Sequence, residues 1–84
     1  MAMAKRVPFP RIVRNPNIVG GEPTIKGTRV PVRSIVLTFR FHPDVDYLLD
    51  AYPMLDREAI EEALAFYQAN REEIDRHIVE NEQD

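Results

Sequence analysis

The chain contains no cysteine, which excludes disulfides and zinc sites that are built on thiolates. Its two histidines, His42 and His77, lie far apart and lack the spacing of metal ligands, so we expect neither a metal nor a cofactor. No residues suggest the nucleophile and base of covalent catalysis, and the acids between Asp44 and Asp50 are explained by the start of a helix. We therefore expect a protein that is not an enzyme.

Long apolar runs are also missing. No segment is long and apolar enough to span a bilayer, and residues 1–10 lack the apolar stretch of a signal peptide, so we expect a cytoplasmic protein without a membrane partner. The 84 residues fit one domain, and a chain of this size buries only about 60% of its unfolded surface. Because such a thin core often needs support, we expect a homodimer or a partner chain.

Acidic residues are nearly absent from the first half of the chain. Residues 1–41 contain eight Lys and Arg residues and one acid, Glu22, for a charge of +7, whereas residues 42–84 contain three Arg and thirteen acids, for −10. This polarity predicts two surfaces for two kinds of partner. Solvation or an ion pair with the acidic half is the alternative for any single arginine. The candidate DNA contacts on the basic half are Arg11, Arg14, Lys26, Arg29, Arg33 and Arg40.

The residue pattern predicts a mainly α-helical domain that is preceded by a short β-hairpin or β-arm. β-Branched residues bounded by proline and glycine indicate short strands at residues 11–14 and 23–26. Three helices follow, beginning near Pro31, Pro43 and Asp56, and we expect a helix-turn-helix-like (homeodomain-like) bundle. The third helix begins with several acids, which makes it a poor surface for DNA phosphates.

The end of the chain has too few apolar residues to form a core of its own. Either the third helix continues to about Glu80, or it breaks near Asn70 and a short fourth helix follows. This helical tail must dock on the domain, on a dimer mate or on another protein. The predicted organisation is a flexible leader at residues 1–10, a helix-turn-helix domain with an N-terminal β-arm at 11–69, and a C-terminal helical tail at 70–84.

The most unusual stretch is residues 20–32, which read Gly-Gly-Glu-Pro-Thr-Ile-Lys-Gly-Thr-Arg-Val-Pro-Val. It is not a phosphate-binding loop, because that loop ends in Gly-Lys-Ser/Thr at the start of a helix, and here the order is Lys-Gly-Thr. Glycine permits positive φ and proline fixes extended geometry, so we interpret the stretch as a structural loop. Its defining residues are Gly20, Gly21, Pro23, Gly27, Thr28 and Pro31.

Together with Arg14-Asn15-Pro16 before it and Tyr52-Pro53-Met54-Leu55 after it, this stretch resembles the domain of unknown function 433 family over about residues 12–67. That family includes VapB-type antitoxins. The resemblance implies a helix-turn-helix-like fold, pairing with a PIN-like ribonuclease toxin and self-repression of the operon. One departure is Phe41-His42-Pro43, which stands between the first two helices where family members usually have a glycine.

We therefore expect the antitoxin of a type II toxin–antitoxin system, which neutralises a PIN-like toxin by direct binding and also binds operator DNA. PIN-like toxins hold magnesium with clustered carboxylates, and an antitoxin can block such a site with an inserted arginine or by covering its entrance. Two alternatives stay open, a stand-alone DNA-binding transcriptional regulator and a dimeric structural module that does not bind DNA. The candidate toxin contacts are Arg71, Ile74, Arg76, His77 and Ile78.

Overall fold

Two short strands and four α-helices make up residues 8–82, the part of the chain that the computed structural model describes. The predicted fold class, a β-hairpin followed by a helical bundle and a helical extension, is confirmed. Within these residues no helix is long and apolar enough to cross a membrane. In chain order the elements are β1 (Ile12–Arg14), a tight turn with positive φ (Val19–Gly21), β2 (Pro23–Ile25), α1 (Val32–Phe41), α2 (Val45–Ala51), α3 (Arg57–Ala69) and α4 (Arg71–Glu82).

The hairpin pairs β1 and β2 in antiparallel register, with Ile12 opposite Ile25. All three residues of β2 are buried, and Thr24 is fully buried with its hydroxyl directed at the Val13 carbonyl. Thr24 also forms an isolated β-bridge with Pro31, at the start of α1. A two-stranded hairpin is only marginally stable alone. Here the burial of β2 against the helices stabilises it and fixes where α1 begins.

Side-chain caps set the starts of α2 and α3. Asp56 accepts a hydrogen bond from the Ala59 amide at 2.8 Å, which confirms the predicted N-cap of α3. Asp44 accepts one from the Asp46 amide at 2.9 Å, so α2 begins after Asp44 and not at Pro43 as predicted. Pro43 lies outside the helix because an aspartate that accepts an amide hydrogen bond is the better cap.

The core is built around one face of α1. Val32, Ile35 and Val36 are buried at the i, i+3, i+4 spacing of an amphipathic helix. They join α2 through Leu48 and α3 through Ile60, both fully buried. Helix α1 packs on both α3 and α4, so it is the central helix of the bundle.

The helical tail breaks from α3 and belongs to this core. Asn70 leaves the helical region with φ −138° and ψ 42°, and α4 begins at the next residue. Ile74 and Ile78 are buried at 0% and 4% exposure in the same cluster as α1 and α3. The prediction that these two isoleucines fill a groove on a toxin is therefore wrong for the described fold, because this domain's own core already covers them.

The predicted leader is partly packed. The ring of Phe9 meets the ring of Phe66 edge-on at a centroid distance of 5.2 Å, and the Phe9 carbonyl accepts a hydrogen bond from the Ile12 amide at 3.1 Å. The boundary predicted after residue 10 is thus too late, because Phe9 covers an apolar side chain of α3. The rest of the predicted leader, residues 1–7, lies outside the described residues, as do residues 83–84 of the tail.

Candidate functional site

Four of the six predicted DNA contacts form ion pairs with carboxylates of the same chain. These pairs are the alternative that the sequence left open for any single arginine. They form because the acidic helices α3 and α4 pack beside the hairpin and α1, and because Glu22 lies next to Arg33. Arg33 Nε lies 2.8 Å from Glu22 Oε1, and Arg40 Nη2 lies 2.7 Å from Asp75 Oδ1. The complete set is Arg11 with Glu58 and Glu62, Arg14 with Glu73, Arg33 with Glu22, and Arg40 with Asp75.

The pair between Arg14 and Glu73 joins β1 to α4. Both guanidinium nitrogens donate to the carboxylate, with Arg14 Nη2 at 2.8 Å from Glu73 Oε1. This hydrogen bonding lowers the pKa of Glu73 below its ordinary value, and a longer contact from His77 Nε2 at 3.4 Å acts in the same direction. His77 also lies 3.8 Å from Glu80, so this predicted toxin contact faces acids of its own helix.

The second network joins α1, α3 and α4. Arg40 donates to the Tyr67 hydroxyl at 2.9 Å and to Asp75 at 2.7 Å, and the Tyr67 hydroxyl donates to Asp75 at 2.8 Å. The hydrogen bond with Tyr67 is the largest cause that raises the pKa of Arg40. Together with the pair between Arg14 and Glu73, this network holds α4 in place. Arg14 and Arg40 therefore stabilise the fold.

The two remaining candidates, Lys26 and Arg29, lie in the turn between β2 and α1, which we call the basic turn (residues 26–29). Both are exposed, and neither forms an ion pair with any residue in the described part of the chain. Gly27 adopts φ 80°, which favours glycine. The Thr28 hydroxyl donates to the Ile25 carbonyl at 2.8 Å and accepts from the Val30 amide at 3.0 Å.

The other predicted loop residues also have structural roles. Gly20 and Gly21 adopt φ 62° and 88°, as the interpretation of residues 20–32 predicts, while Pro23 is buried and Pro31 lies at the N-cap position of α1 in extended geometry. Val30 packs on the core and Arg33 pairs with Glu22. Lys26 and Arg29 are thus charged residues of this stretch whose side chains have no visible part in holding the fold.

A depression of about 180 Å³ lies beside the basic turn. Its wall includes Lys26 and Thr28 from the turn and Asp56 and Ala59 from the start of α3. Met54, also in the wall, is 60% exposed and offers an apolar contact next to the positive charge. The basic turn and this depression form a surface that suits an anionic partner.

A second surface with unpaired cations lies where α3 meets α4, and we call it the α3–α4 junction (residues 68–73 and Arg76); beside Arg71 and Arg76 it contains the acids Glu72 and Glu73. It surrounds an open depression of about 500 Å³. Arg71 donates to Gln68 Oε1 at 2.8 Å, and its guanidinium carbon lies 5.5 Å from the centre of the Tyr67 ring. Arg76 is exposed. Neither arginine pairs with a carboxylate among residues 8–82.

The two surfaces with unpaired cations lie at opposite ends of α3. Asp56 and Ala59 border the first depression, and Gln68 and Ala69 border the second. The 13 residues of α3 span about 20 Å at 1.5 Å per residue. Two partners can therefore approach the two ends of this helix without covering the same residues.

An exposed aromatic corner between α1 and α2 has no counterpart among the predicted sites. Phe41 is 81% exposed, and the rings of His42 and Tyr47 stack at 4.0 Å with an interplanar angle of 6°. The available signal was the aromatic residue in Phe41-His42-Pro43, at the turn where the family resemblance favours glycine. Among residues 8–82 no cluster of histidine and carboxylate side chains has the arrangement of a metal site.

These features define a small helix-turn-helix-like domain that carries a structural hairpin and two surfaces with unpaired cations. The sequence profile of the family described as "Protein of unknown function (DUF433)" matches residues 12–67, and the chain belongs to this family. The match ends at the last turns of α3, so α4 lies outside it.

Two relatives extend the comparison. The crystal structure of a DUF433 member protein from Anabaena variabilis ATCC 29413, at 2.00 Å resolution, has a TM-score of 0.77 and 35% sequence identity, covering 82% of this chain and 68% of that one. The uncharacterized protein y4eO of Sinorhizobium fredii (strain NBRC 101917 / NGR234) is 37% identical over 59 residues, or 70% of this chain. The chain spans only 27% of that protein's length.

Proposed function

We propose that the chain is an antitoxin that binds a PIN-like ribonuclease toxin at the α3–α4 junction and operator DNA at the basic turn. The observation that carries the proposal is the sorting of the unpaired cations. The four Lys and Arg residues without a carboxylate partner among residues 8–82 form two pairs at opposite ends of α3. A regulator that holds a toxin and an operator at once needs two such separate surfaces. Both partners are cytoplasmic, and we place the chain there.

The α3–α4 junction suits a carboxylate-rich partner. Arginine binds carboxylates in bidentate fashion, and it stays charged at every physiological pH. Clustered carboxylates hold the magnesium of PIN-like nucleases, so Arg71 or Arg76 can compete with the metal for these groups. The half-buried His77 and the buried Ile74 and Ile78 have no part in this contact, because they serve the fold.

The basic turn suits a phosphate backbone better than the third helix does. Glu58 and Glu61 lie in the first turns of α3, and Glu58 pairs with Arg11, so this helix presents little positive charge to a DNA groove. Lys26 and Arg29 lie on a turn whose backbone is fixed by Gly27 and Thr28. A turn that is already rigid has little backbone freedom to lose on binding.

Toxin binding is tested with two matched double variants, Arg71→Ala with Arg76→Ala, and Lys26→Ala with Arg29→Ala. The probe is the purified product of the neighbouring gene, and the readouts are its co-purification and the inhibition of its ribonuclease activity. We expect the junction variant to lose at least tenfold in affinity and the turn variant to keep it. Equal affinity of both variants, or no binding by the unaltered chain, contradicts the proposal.

Point variants are preferable to removal of the tail. Deletion of α4 would uncover the core around Ile74 and Ile78, so lost binding could mean lost folding. The four substituted cations have no ion pair to lose within residues 8–82. A mobility-shift assay on the DNA upstream of the operon gives the reciprocal readout, in which the turn variant fails and the junction variant binds.

A further inference from the structure

The connection between α3 and α4 is a single residue. Ala69 ends α3 and Arg71 begins α4, and only Asn70 between them has non-helical backbone angles. Its amide bonds the Tyr67 carbonyl at 3.0 Å, which is the tight hydrogen bond of a helix end. Its side chain donates to the Phe66 carbonyl at 3.0 Å, the group that the Asn70 amide would bond in an uninterrupted α-helix. The Asn70 side chain thus donates the hydrogen bond to Phe66 that the Asn70 backbone amide would donate in a continuous helix.

The sequence around Asn70 is compatible with a continuous helix. Ile60, Tyr67 and Ile74 recur every seven residues, so the apolar stripe keeps its phase across the break. Neither glycine nor proline occurs between Ala59 and Glu82. Rotation of the backbone at Asn70 alone would join the two helices and pair the amides of residues 71–73 with the carbonyls of residues 67–69.

The contacts of α4 do not depend on which copy of the chain supplies it. Helix α4 packs mainly on α1, with fewer contacts to the helix that leads into it. The buried Ile74 and Ile78 and the pairs of Glu73 and Asp75 with arginines of β1 and α1 are all contacts across space. A second copy can provide the same helix to the same groove with the same partners.

We propose that the chain forms a dimer by exchanging α4, with α3 and α4 joined into one helix through Asn70 and each α4 packed on α1 of the second copy. Exchange keeps the contacts that α4 makes with α1 and β1 and adds the helical hydrogen bonds at the hinge, so its main cost is the entropy of association. The occupant of the groove is a second copy of this chain because α4 already matches it in shape and charge. This inference does not depend on the proposed function.

Substitutions at the hinge test the exchange. Asn70→Ala removes the side-chain bond to Phe66 and favours helix, whereas Asn70→Gly, the matched control, removes the same bond and disfavours helix. By light scattering during size-exclusion chromatography, we expect a doubled mass for Asn70→Ala at lower concentration than for the unaltered chain, and a monomer for Asn70→Gly. The mass of the unaltered chain, measured in the same way at rising concentration, shows whether it dimerises without a change at the hinge.

Spin labels distinguish exchange from an ordinary dimer. Because the chain has no cysteine, Glu61→Cys and Val79→Cys provide labelling positions on exposed residues of α3 and α4. With an excess of unlabelled chain, only the distance within one chain is measured. It should be about 27 Å along a straight helix and shorter in the bent monomer. A dimer that keeps the shorter distance overturns the proposal, and so does an Asn70→Ala chain that stays monomeric at all concentrations.

Discussion

At the scale of single residues, Glu73 has two effects: it stabilises the fold, and it pairs with an arginine that the sequence suggests as a DNA contact. It is partly buried on α4 and accepts two hydrogen bonds from Arg14, which lies 59 residues earlier in the chain. The pairing lowers its pKa and occupies an arginine that the sequence alone suggested for DNA. The same carboxylate also contacts His77 one turn further along α4.

The lowered pKa of Glu73 predicts a pH-dependent contribution to stability. Its pKa in the unfolded chain is about 4.3, and the folded value lies below this. The contribution is therefore fully present above about pH 5 and is lost as the pH falls through the folded pKa. We expect Glu73→Gln to lower the free energy of unfolding by about 1 kcal/mol or less at pH 7, since the pair is partly exposed to solvent. Urea unfolding at pH 7 and at pH 3 measures the difference.

Glu72→Gln is the matched control for this measurement. Glu72 precedes Glu73 on the same helix, is exposed, and forms no ion pair with residues 8–82. We expect the free energy of unfolding of the Glu72→Gln chain to match that of the unaltered chain at both pH values. A difference between the Glu73→Gln and unaltered chains that stays constant down to pH 3 would contradict the assigned role of the ion pair.

At the scale of elements, the local signals predict where most helices and strands lie. The hairpin follows from β-branched residues between turn formers, and α3 begins at Asp56 because its side chain caps the helix. The break at Asn70 could not be chosen from sequence, because the apolar phase continues through it and no glycine or proline marks it. Packing of α4 on α1 decides between the two possibilities, and that contact joins distant parts of the chain.

Helix α4 has low intrinsic hydrophobicity, so we expect two isoleucines to provide most of its attachment. Ile74 is fully buried, whereas Val79 on the same helix is 52% exposed. Ile74→Ala should lower the free energy of unfolding by about 2–5 kcal/mol, since it leaves a cavity between α4 and α1. Val79→Ala, the control, should change it by about 0.5 kcal/mol or less. Thermal or urea unfolding measures both, and equal effects would show that α4 is not packed as described.

At the scale of the whole molecule, the sequence predicts the polarity of charge but not how it is paired. Which arginine meets which acid depends on the tertiary arrangement, as for Arg11 and Glu62, which are 51 residues apart. Of the six candidate DNA contacts, Lys26 and Arg29 are the two without an ion pair among residues 8–82. The sequence likewise suggests Ile74 and Ile78 for a toxin contact, because their burial against α1 leaves no local signal.

The salt dependence of the proposed DNA binding distinguishes contacts from the basic turn alone from contacts made by all six candidate cations. Each phosphate neutralised on a duplex contributes about −0.9 to the slope of log affinity against log salt concentration. If only Lys26 and Arg29 contact phosphate, we expect a slope of about −2 per chain, whereas contacts from all six cations would give about −5. Fluorescence anisotropy with a labelled operator duplex across a salt series measures this slope. The smaller value is expected because freeing the four paired arginines to reach DNA would expose their partner carboxylates to the same phosphates. A slope near −5 would show that these pairs exchange their acids for DNA, and that the free chain conceals a larger nucleic-acid surface.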